Sequence, residues 1–288
     1  MRRLRNVGLG LFGLVLLGAL WELYKAVGPT TGVMLGGRAI LPRTSDIAMP
    51  HLWEMASRLS GPAVGRSGAP LWQTIVTSCL FSLRIAAIGW LIGVLVGGAL
   101  ALVMQRFRIA EAAILPWVVL SQTVPLIAIA PLVRRWGAQI TIGSFTWSSE
   151  NSVAVIAAYL AFFPIAVGAL RGLKAPEATH VDLMRTYGIG WWRTLVSLRL
   201  PASVPYLLPA LRLAAASAVI GTVVAEVSIG LRGGIGRLVI EYAQSASGDP
   251  AKPWAPIFGA IAIGLVAAGF VALLSLFMKP YRRSEVPV

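Results

Sequence analysis

Six long apolar runs, separated by polar and basic stretches, organise this chain. They lie near residues 7–27, 75–104, 112–133, 151–170, 206–229 and 256–278. About 20 consecutive apolar residues in helical form cross a bilayer core. The pattern therefore predicts an all-α integral membrane protein with about six transmembrane helices. The first run follows Met1-Arg2-Arg3-Leu4-Arg5. No small-x-small cleavage site ends it, so it is read as a retained helix and not as a removed signal peptide. No repeat recurs at a fixed period of 20–50 residues.

Composition supports this pattern. Hydrophobic residues make up 57% of the 288 positions and charged residues 12%. A soluble domain carries roughly 25% charged residues, so an ordinary soluble enzyme is excluded. Disorder needs the opposite balance. The formal net charge is +14. The basic residues lie between apolar runs, which fits anionic lipid and the positive-inside rule better than nucleic acid. Thirteen of the Lys and Arg residues fall in segments 1–6, 105–111, 171–205 and 279–288, and only nine in the longer segments 28–74, 134–150 and 230–255. This bias places both termini inside. The pair Arg134-Arg135 falls outside in that arrangement and runs against it. One cysteine, Cys79, and two distant histidines, His51 and His180, make no metal-ligand spacing.

The plan is then an N-terminal helix and external linker over 1–74, followed by a core of five helices over 75–288. The core carries a long internal loop, 171–205. In the linker, prolines at 29, 42, 50, 62 and 70 leave room for one short amphipathic helix, 47–59, with Trp53 at the interface.

Several features lie inside the spans. Gly89, Gly93 and Gly97, with Ala101 next in the series, share one face of the second run. Such a stripe lets another backbone approach where lipid supplies no hydrophobic drive. The third run carries Pro116, Pro125 and Pro131, with Gln122 and Thr123 near its centre. Each proline removes a donor and kinks a helix. Gln122, Thr123 and Pro125 are therefore candidates for a solute pathway, with ordinary interhelical hydrogen bonding as the other reading. Glu226, near the outer end of the fifth run, is a candidate gate by virtue of being ionisable. A structural carboxylate or an ion pair with Arg232 is the alternative. Glu22 and Lys25, three residues apart, are expected to pair at the outer boundary.

The loop 171–205 is the most informative segment. Pro176-Glu177 opens a short helix running through Tyr187, with the acid at its positive end. Gly188 suits the left-handed position that closes a helix. A second helical piece, 191–199, follows, and Pro201 and Pro205 reset the chain before the fifth span.

Here the chain resembles the transmembrane permease subunit of binding-protein-dependent ABC importers. That family carries Glu-Ala-Ala, three residues, Gly, nine residues, Ile, any residue, Leu-Pro in a cytoplasmic loop. Asp182-Leu183-Met184, Gly188 and Leu198-Arg199-Leu200-Pro201 keep the spacing. Asp replaces Glu, Leu-Met replaces Ala-Ala, and Leu replaces Ile. Glu111-Ala112-Ala113 spells the triplet but lacks the following glycine. Trp21-Glu22-Leu23, Ile40-Leu41-Pro42, the stretch from Pro125 to Leu132, Phe163-Pro164, Val224-Ala225-Glu226 and Gly233-Gly234-Ile235-Gly236 are similar to the nitrate, sulfonate, taurine and thiamine-precursor branch. Leu41-Pro42-Arg43-Thr44 departs from that branch's Leu-Pro-Ser-Pro, and the polar segment 138–150 is slightly long for it.

The resemblance implies the type I importer permease fold in a bacterial plasma membrane. It implies a second permease subunit, a pair of cytoplasmic ATPase subunits and an external binding protein. The loop helix would be the coupling helix, with Glu177, Asp182, Leu183, Met184, Gly188, Leu200 and Pro201 serving the contact with the ATPase. The chain has no phosphate loop of its own, so ATP and Mg belong to the partner, no cofactor is expected here, and the chain is not itself an enzyme. An ion-gradient-driven secondary transporter is the alternative class. It would need midplane acids or an inverted repeat.

Overall fold

The computed structural model describes residues 2–35, 38–63 and 68–277. Lys279, Arg282 and Arg283, part of the orientation argument, lie outside the described residues, as does Arg66 of the linker. The apolar runs are helical, and only two short antiparallel hairpins interrupt the helices among the described residues. The chain divides into two compact units, one formed by the residues up to Thr77 with Leu238–Phe258, the other by Ser78–Arg237 with the residues from Gly259 on.

The first unit opens with α1 (Arg2–Val27) and a hairpin of β1 (Val33–Leu35) with β2 (Arg38–Leu41), and continues to α2 (Leu52–Arg58). Over Gly8–Val27, α1 is long and apolar enough to span a membrane, and its most apolar window leaves nothing buried within the chain, the condition of a lipid-facing helix. The end of α1 is tied down by its polar residues. The Trp21 indole N–H donates to the Pro50 carbonyl at 3.2 Å. Glu22 accepts from the Leu52 amide at 2.8 Å and contacts the His51 ring at 2.7 Å. Lys25 donates to Asp46 and to the Met49 carbonyl, both at 2.6 Å. The expected Glu22–Lys25 pair is therefore absent. Each side chain instead serves orphan backbone groups of the following loop, which has no regular structure of its own to satisfy them. The Lys25 ammonium also holds the Asp46 carboxyl below its usual range. The linker helix is shorter than expected, because a residue before proline disfavours the helical region; Met49 precedes Pro50, and Ser45–Met49 closes as a turn instead. Trp53 is exposed and stacks on His51 at 3.9 Å.

In the second unit, α3 (Leu71–Arg106) leads to α4 (Arg108–Ser121) and α5 (Leu126–Gly137). A hairpin of β3 (Thr141–Ile142) with β4 (Phe145–Thr146) follows, turning at Gly143, whose φ is 61°. This hairpin accommodates the long 138–150 segment. Ser148 caps α6 (Ser149–Leu173) by accepting the Asn151 amide. Next come α7 (Ala178–Thr186), α8 (Trp191–Thr194), a π-helical turn (Leu195–Arg199) and α9 (Leu200–Ile229); of the last two helices, α10 (Ile235–Gln244) falls mostly in the first unit and α11 (Trp254–Phe277) mostly in the second.

The centre of this unit is the antiparallel pair α6 and α9, joined through small residues. A Cβ on Gly168 would lie 2.4 Å from that of Ala210, and one on Gly172 would lie 2.8 Å from that of Ser203. The glycine stripe of α3 packs against the same α6. Added Cβ atoms at Gly89 and Gly93 would stand 2.4 and 2.6 Å from the Cβ atoms of Ala157 and Ala161, and one at Gly97 would stand 2.5 Å from the Phe162 carbonyl oxygen. The stripe is a packing surface. In lipid, backbone approach of this kind is what brings helices together.

One expectation is corrected here. Pro201 and Pro205 do not reset the chain. Residues Trp191–Ile229 run on as one helical rod of 39 residues. The π-helical turn is the reason: it shifts the hydrogen bonding by one residue ahead of Pro201, with the Leu200 amide donating to the Leu195 carbonyl. That widening makes room for a ring that would otherwise strike the carbonyl of the preceding turn.

Candidate functional site

The loop helix α7 is closed by chemistry that its sequence carries. Gly188 has a φ of 67°. The Ile189 amide donates to the Met184 carbonyl and the Gly188 amide to the Arg185 carbonyl, both at 2.9 Å. These are the two bonds of a Schellman cap. Glu177 occupies the N-cap position, next to the positive end of the helix. No residue of α7 is buried. Leu183 is 53% exposed and Tyr187, one turn later, 75% exposed. Two large apolar side chains thus stand exposed one turn apart on an open helix. Asp182 lies on a different face, where its carboxylate faces Arg185 at 3.5 Å.

The base of the loop is fastened to the central pair. Arg199 donates to the Leu173 carbonyl at 2.8 Å, tying the π-helical turn to the end of α6. Leu200 and Pro201 form the first turn of α9, beneath α7 in sequence but not part of it.

The third apolar run is broken rather than kinked. Between α4 and α5 the direction changes by 103°. Pro116 and Pro131 sit inside their helices, whereas Pro125 stands at the N-cap of α5. The amides of Gln122, Thr123 and Val124 turn back to the carbonyls three residues earlier. The freed groups still find partners: Tyr159 donates its hydroxyl to the Ser121 carbonyl, and the Thr123 hydroxyl donates to the Leu120 carbonyl. A break inside lipid is tolerated only with such accounting.

Contacts at the two ends show how far the bent pair reaches. Glu111, in the first turn of α4, pairs with Lys174 at the end of α6. Arg134, near the end of α5, donates to the Ile229 carbonyl at the end of α9, 2.9 Å away. Because α6 and α9 are antiparallel, these are opposite ends of the central pair. The bent pair therefore reaches between opposite ends of the central pair, and counted as one broken span it is the sixth. Its break lies beside Tyr159, near the middle of α6, so Gln122, Thr123 and Pro125 stand at mid-depth. Thr123, Val124 and Pro125 are exposed.

Glu226 has a different setting. It is fully buried. Its carboxylate accepts the Ser82 hydroxyl at 2.6 Å and the Gly236 amide at 2.8 Å. The Ser82 oxygen in turn accepts the Ile235 amide at 2.9 Å. Glu226 and Ser82 together cap the start of α10, and no ion pair with Arg232 forms. Gly234 and Gly236 permit this approach, since an added Cβ would stand 2.3 Å from the Glu226 carboxyl carbon or 2.5 Å from the Val223 carbonyl oxygen. Two motifs noted separately in the sequence, Val224-Ala225-Glu226 and Gly233-Gly234-Ile235-Gly236, meet here. Ser82 was not singled out in the sequence.

A family model described as the binding-protein-dependent transport system inner membrane component matches residues 89–282. The chain belongs to this family of ABC importer permeases. Formylaminopyrimidine transport permease protein ThiX of Halalkalibacterium halodurans is 29% identical over 261 residues, covering 86% of this permease and 98% of its own chain. Riboflavin transport system permease protein RibX of Chloroflexus aurantiacus is 29% identical over 135 residues, 46% of each chain. A crystal structure of an amino acid ABC transporter with histidines shares the fold. Its TM-score is 0.56 at 18% identity, and the match covers 73% of this permease and 94% of that chain. The permease is thus a multi-pass membrane protein, as the apolar runs predicted.

The buried cap leads to a test. In the Glu226→Gln permease, one carboxylate oxygen becomes an NH2 group. Only one of the two donors then keeps an acceptor, and an unmet buried donor costs about 1–3 kcal/mol. Thermal unfolding followed by size-exclusion chromatography in detergent should show a lower midpoint. A midpoint equal to wild type, with transport lost, would instead favour the gate reading.

Proposed function

We propose that this permease forms the solute pathway of an ATP-driven importer together with a second permease subunit. A cytoplasmic ATPase pair drives it through α7, and an external binding protein delivers the solute. The observation that carries this reading is α7 itself: a capped helix with Leu183 and Tyr187 exposed, on a loop whose far end is tied to α6 by Arg199. Glu177, Asp182, Met184 and Gly188 set its ends and charge, while Leu200 and Pro201 transmit its motion into α9. Gln122, Thr123 and Pro125 would face the pathway from the broken span, and Glu226 would hold α10 in place. ATP and Mg act on the ATPase partner. Formylaminopyrimidine, which names the relative matched over nearly its whole length, is a nitrogen heterocycle, and this is the solute class to test first.

The test is uptake into vesicles containing the permease, its ATPase and its binding protein. Uptake should require internal ATP and survive a protonophore. Uptake that needs no ATP and collapses with the proton gradient would overturn the reading.

Orientation belongs to the same proposal, with both termini and the 171–205 loop cytoplasmic in a bacterial plasma membrane. In a Cys79→Ser background, single cysteines at Ser60 and Ser197, both exposed, should differ. An impermeant thiol reagent added outside should label the first and spare the second. Labelling of the Ser197 site from outside would invert the topology.

A further inference from the structure

At the base of the loop, a cavity of about 540 Å³ opens between the ends of α3 and α6, the first turn of α4, one face of α7, α8 and the π-helical turn. Arg106, Arg108, Lys174, Arg185 and Arg199 line it, against two carboxylates, Glu111 and Asp182. Glu111 is taken by Lys174 and Asp182 by Arg185. Arg199 spends one nitrogen on the Leu173 carbonyl and lies close enough to Arg185 for their charges to repel. Arg106 leans over the Trp191 ring with its charge centre 5.4 Å from the ring centroid. Among the described residues, no carboxylate pairs with Arg106 or Arg108.

A second, independent observation points the same way. Two buried donors on residues that line this cavity, Trp191 Nε1 and Arg199 Nε, have no acceptor among the described residues. Buried donors are almost always satisfied, and an orphan asks for an explanation such as a missing ion. The cavity thus combines surplus positive charge with unmet donors, and it offers guanidinium groups suited to phosphate oxygens. Its height is set by the span ends that form it, which is the level of lipid headgroups. Basic pockets between helices on the cytoplasmic side hold such headgroups.

We propose that this cavity binds a phosphate-class oxyanion, supplied by the headgroup of an anionic phospholipid. The α7 face carrying Ala178, Val181, Asp182 and Arg185 turns to this cavity, which leaves Leu183 and Tyr187 for the ATPase. A bound phosphate would neutralise the Arg185–Arg199 repulsion and stiffen the loop on which coupling depends. Only that consequence rests on the coupling reading; the binding itself does not.

The experiment counts lipid on the purified full-length permease by native mass spectrometry during titration with phosphatidylglycerol or phosphatidylcholine. Wild type should retain one phosphatidylglycerol in preference to phosphatidylcholine. Arg106→Gln and Arg108→Gln should each weaken retention about fivefold, whereas Arg106→Lys and Arg108→Lys should recover most of it. Arg193→Gln, on the same loop but outside the cavity, should leave retention unchanged. Competition with inorganic phosphate identifies the source. If millimolar phosphate occupies the site once per chain and displaces the lipid, the oxyanion class stands and the free ion is the occupant. Equal retention of both lipids without phosphate binding, or an equal loss in Arg193→Gln, would overturn the proposal. Neither result depends on whether the ATPase docks.

Discussion

Gly188→Val is expected to abolish the stimulation of ATP hydrolysis by loaded binding protein while the permease still inserts and folds. An added Cβ at Gly188 meets nothing within 4 Å, so the effect is not a clash with neighbours. It comes from the backbone, because the φ of 67° is one that a β-branched residue adopts poorly. The strain is about 1–3 kcal/mol, and the chain escapes it by giving up the Schellman cap. The bonds to Arg185 and Met184 then open and the last turn frays, carrying Leu183 and Tyr187 out of register. Stimulated hydrolysis and uptake should both fall roughly tenfold or more, the ratio such strain commands. Gly190→Ala is the control. Gly190 has an ordinary φ of −67° and open space around its Cα, so that variant should behave as wild type. Full stimulation in Gly188→Val would remove α7 from the coupling route.

The other large effect is structural. Gly93→Leu should prevent the permease from accumulating as a folded species in the membrane. A Cβ there already stands 2.6 Å from that of Ala161 and 3.1 Å from the Ala158 carbonyl oxygen, and leucine adds three more carbons. Overpacking of a close interface costs about 1–3 kcal/mol, at times more. Here α3 must separate from α6 to relieve it, and α6 also carries α9. The smaller Gly93→Ala variant should lower the thermal midpoint by roughly 2–4 °C for each kcal/mol lost. Ala161→Gly in the same chain should restore it, since the methyl group merely changes sides of the interface. Gly98→Ala, where nothing lies within 4 Å, should be silent. A folded Gly93→Leu permease of wild-type stability would mean that α3 and α6 do not meet through this face.

These two positions were legible in the sequence for different reasons. Gly188 announced itself through local punctuation, a glycine closing a short helix at a fixed distance from Leu-Pro. Gly89, Gly93 and Gly97 announced a close approach by their spacing alone, although not against which helix. The break at Pro125 was half legible. Proline chemistry implied a distortion. Its size depends on the turn at Gln122–Val124 and on the Tyr159 hydroxyl, which lies 38 residues from the carbonyl it satisfies. The π-helical turn was not legible at all, because the prolines after it read as interruptions.

Glu226 marks the boundary between the two kinds of information. An acid in an apolar run reads as a gate when only its own span is known. Its partner Ser82 is 144 residues away, and no periodicity links them. Likewise, Glu22 and Lys25 were close enough in sequence to pair, but each is held by backbone groups of the following loop. By itself the sequence determined what depends on near neighbours along the chain: the number and extent of apolar runs, the cap on α7, the small-residue face of α3 and the family motif. Tertiary structure alone decided what depends on distant segments sharing one buried space. It chose hydrogen-bond partners for Glu226, turned the third run into two helices, and gathered five basic residues from five segments around one cavity. The physical reason is that a buried polar group takes whichever partner the packed helices bring within reach, and that choice is made in space rather than along the chain.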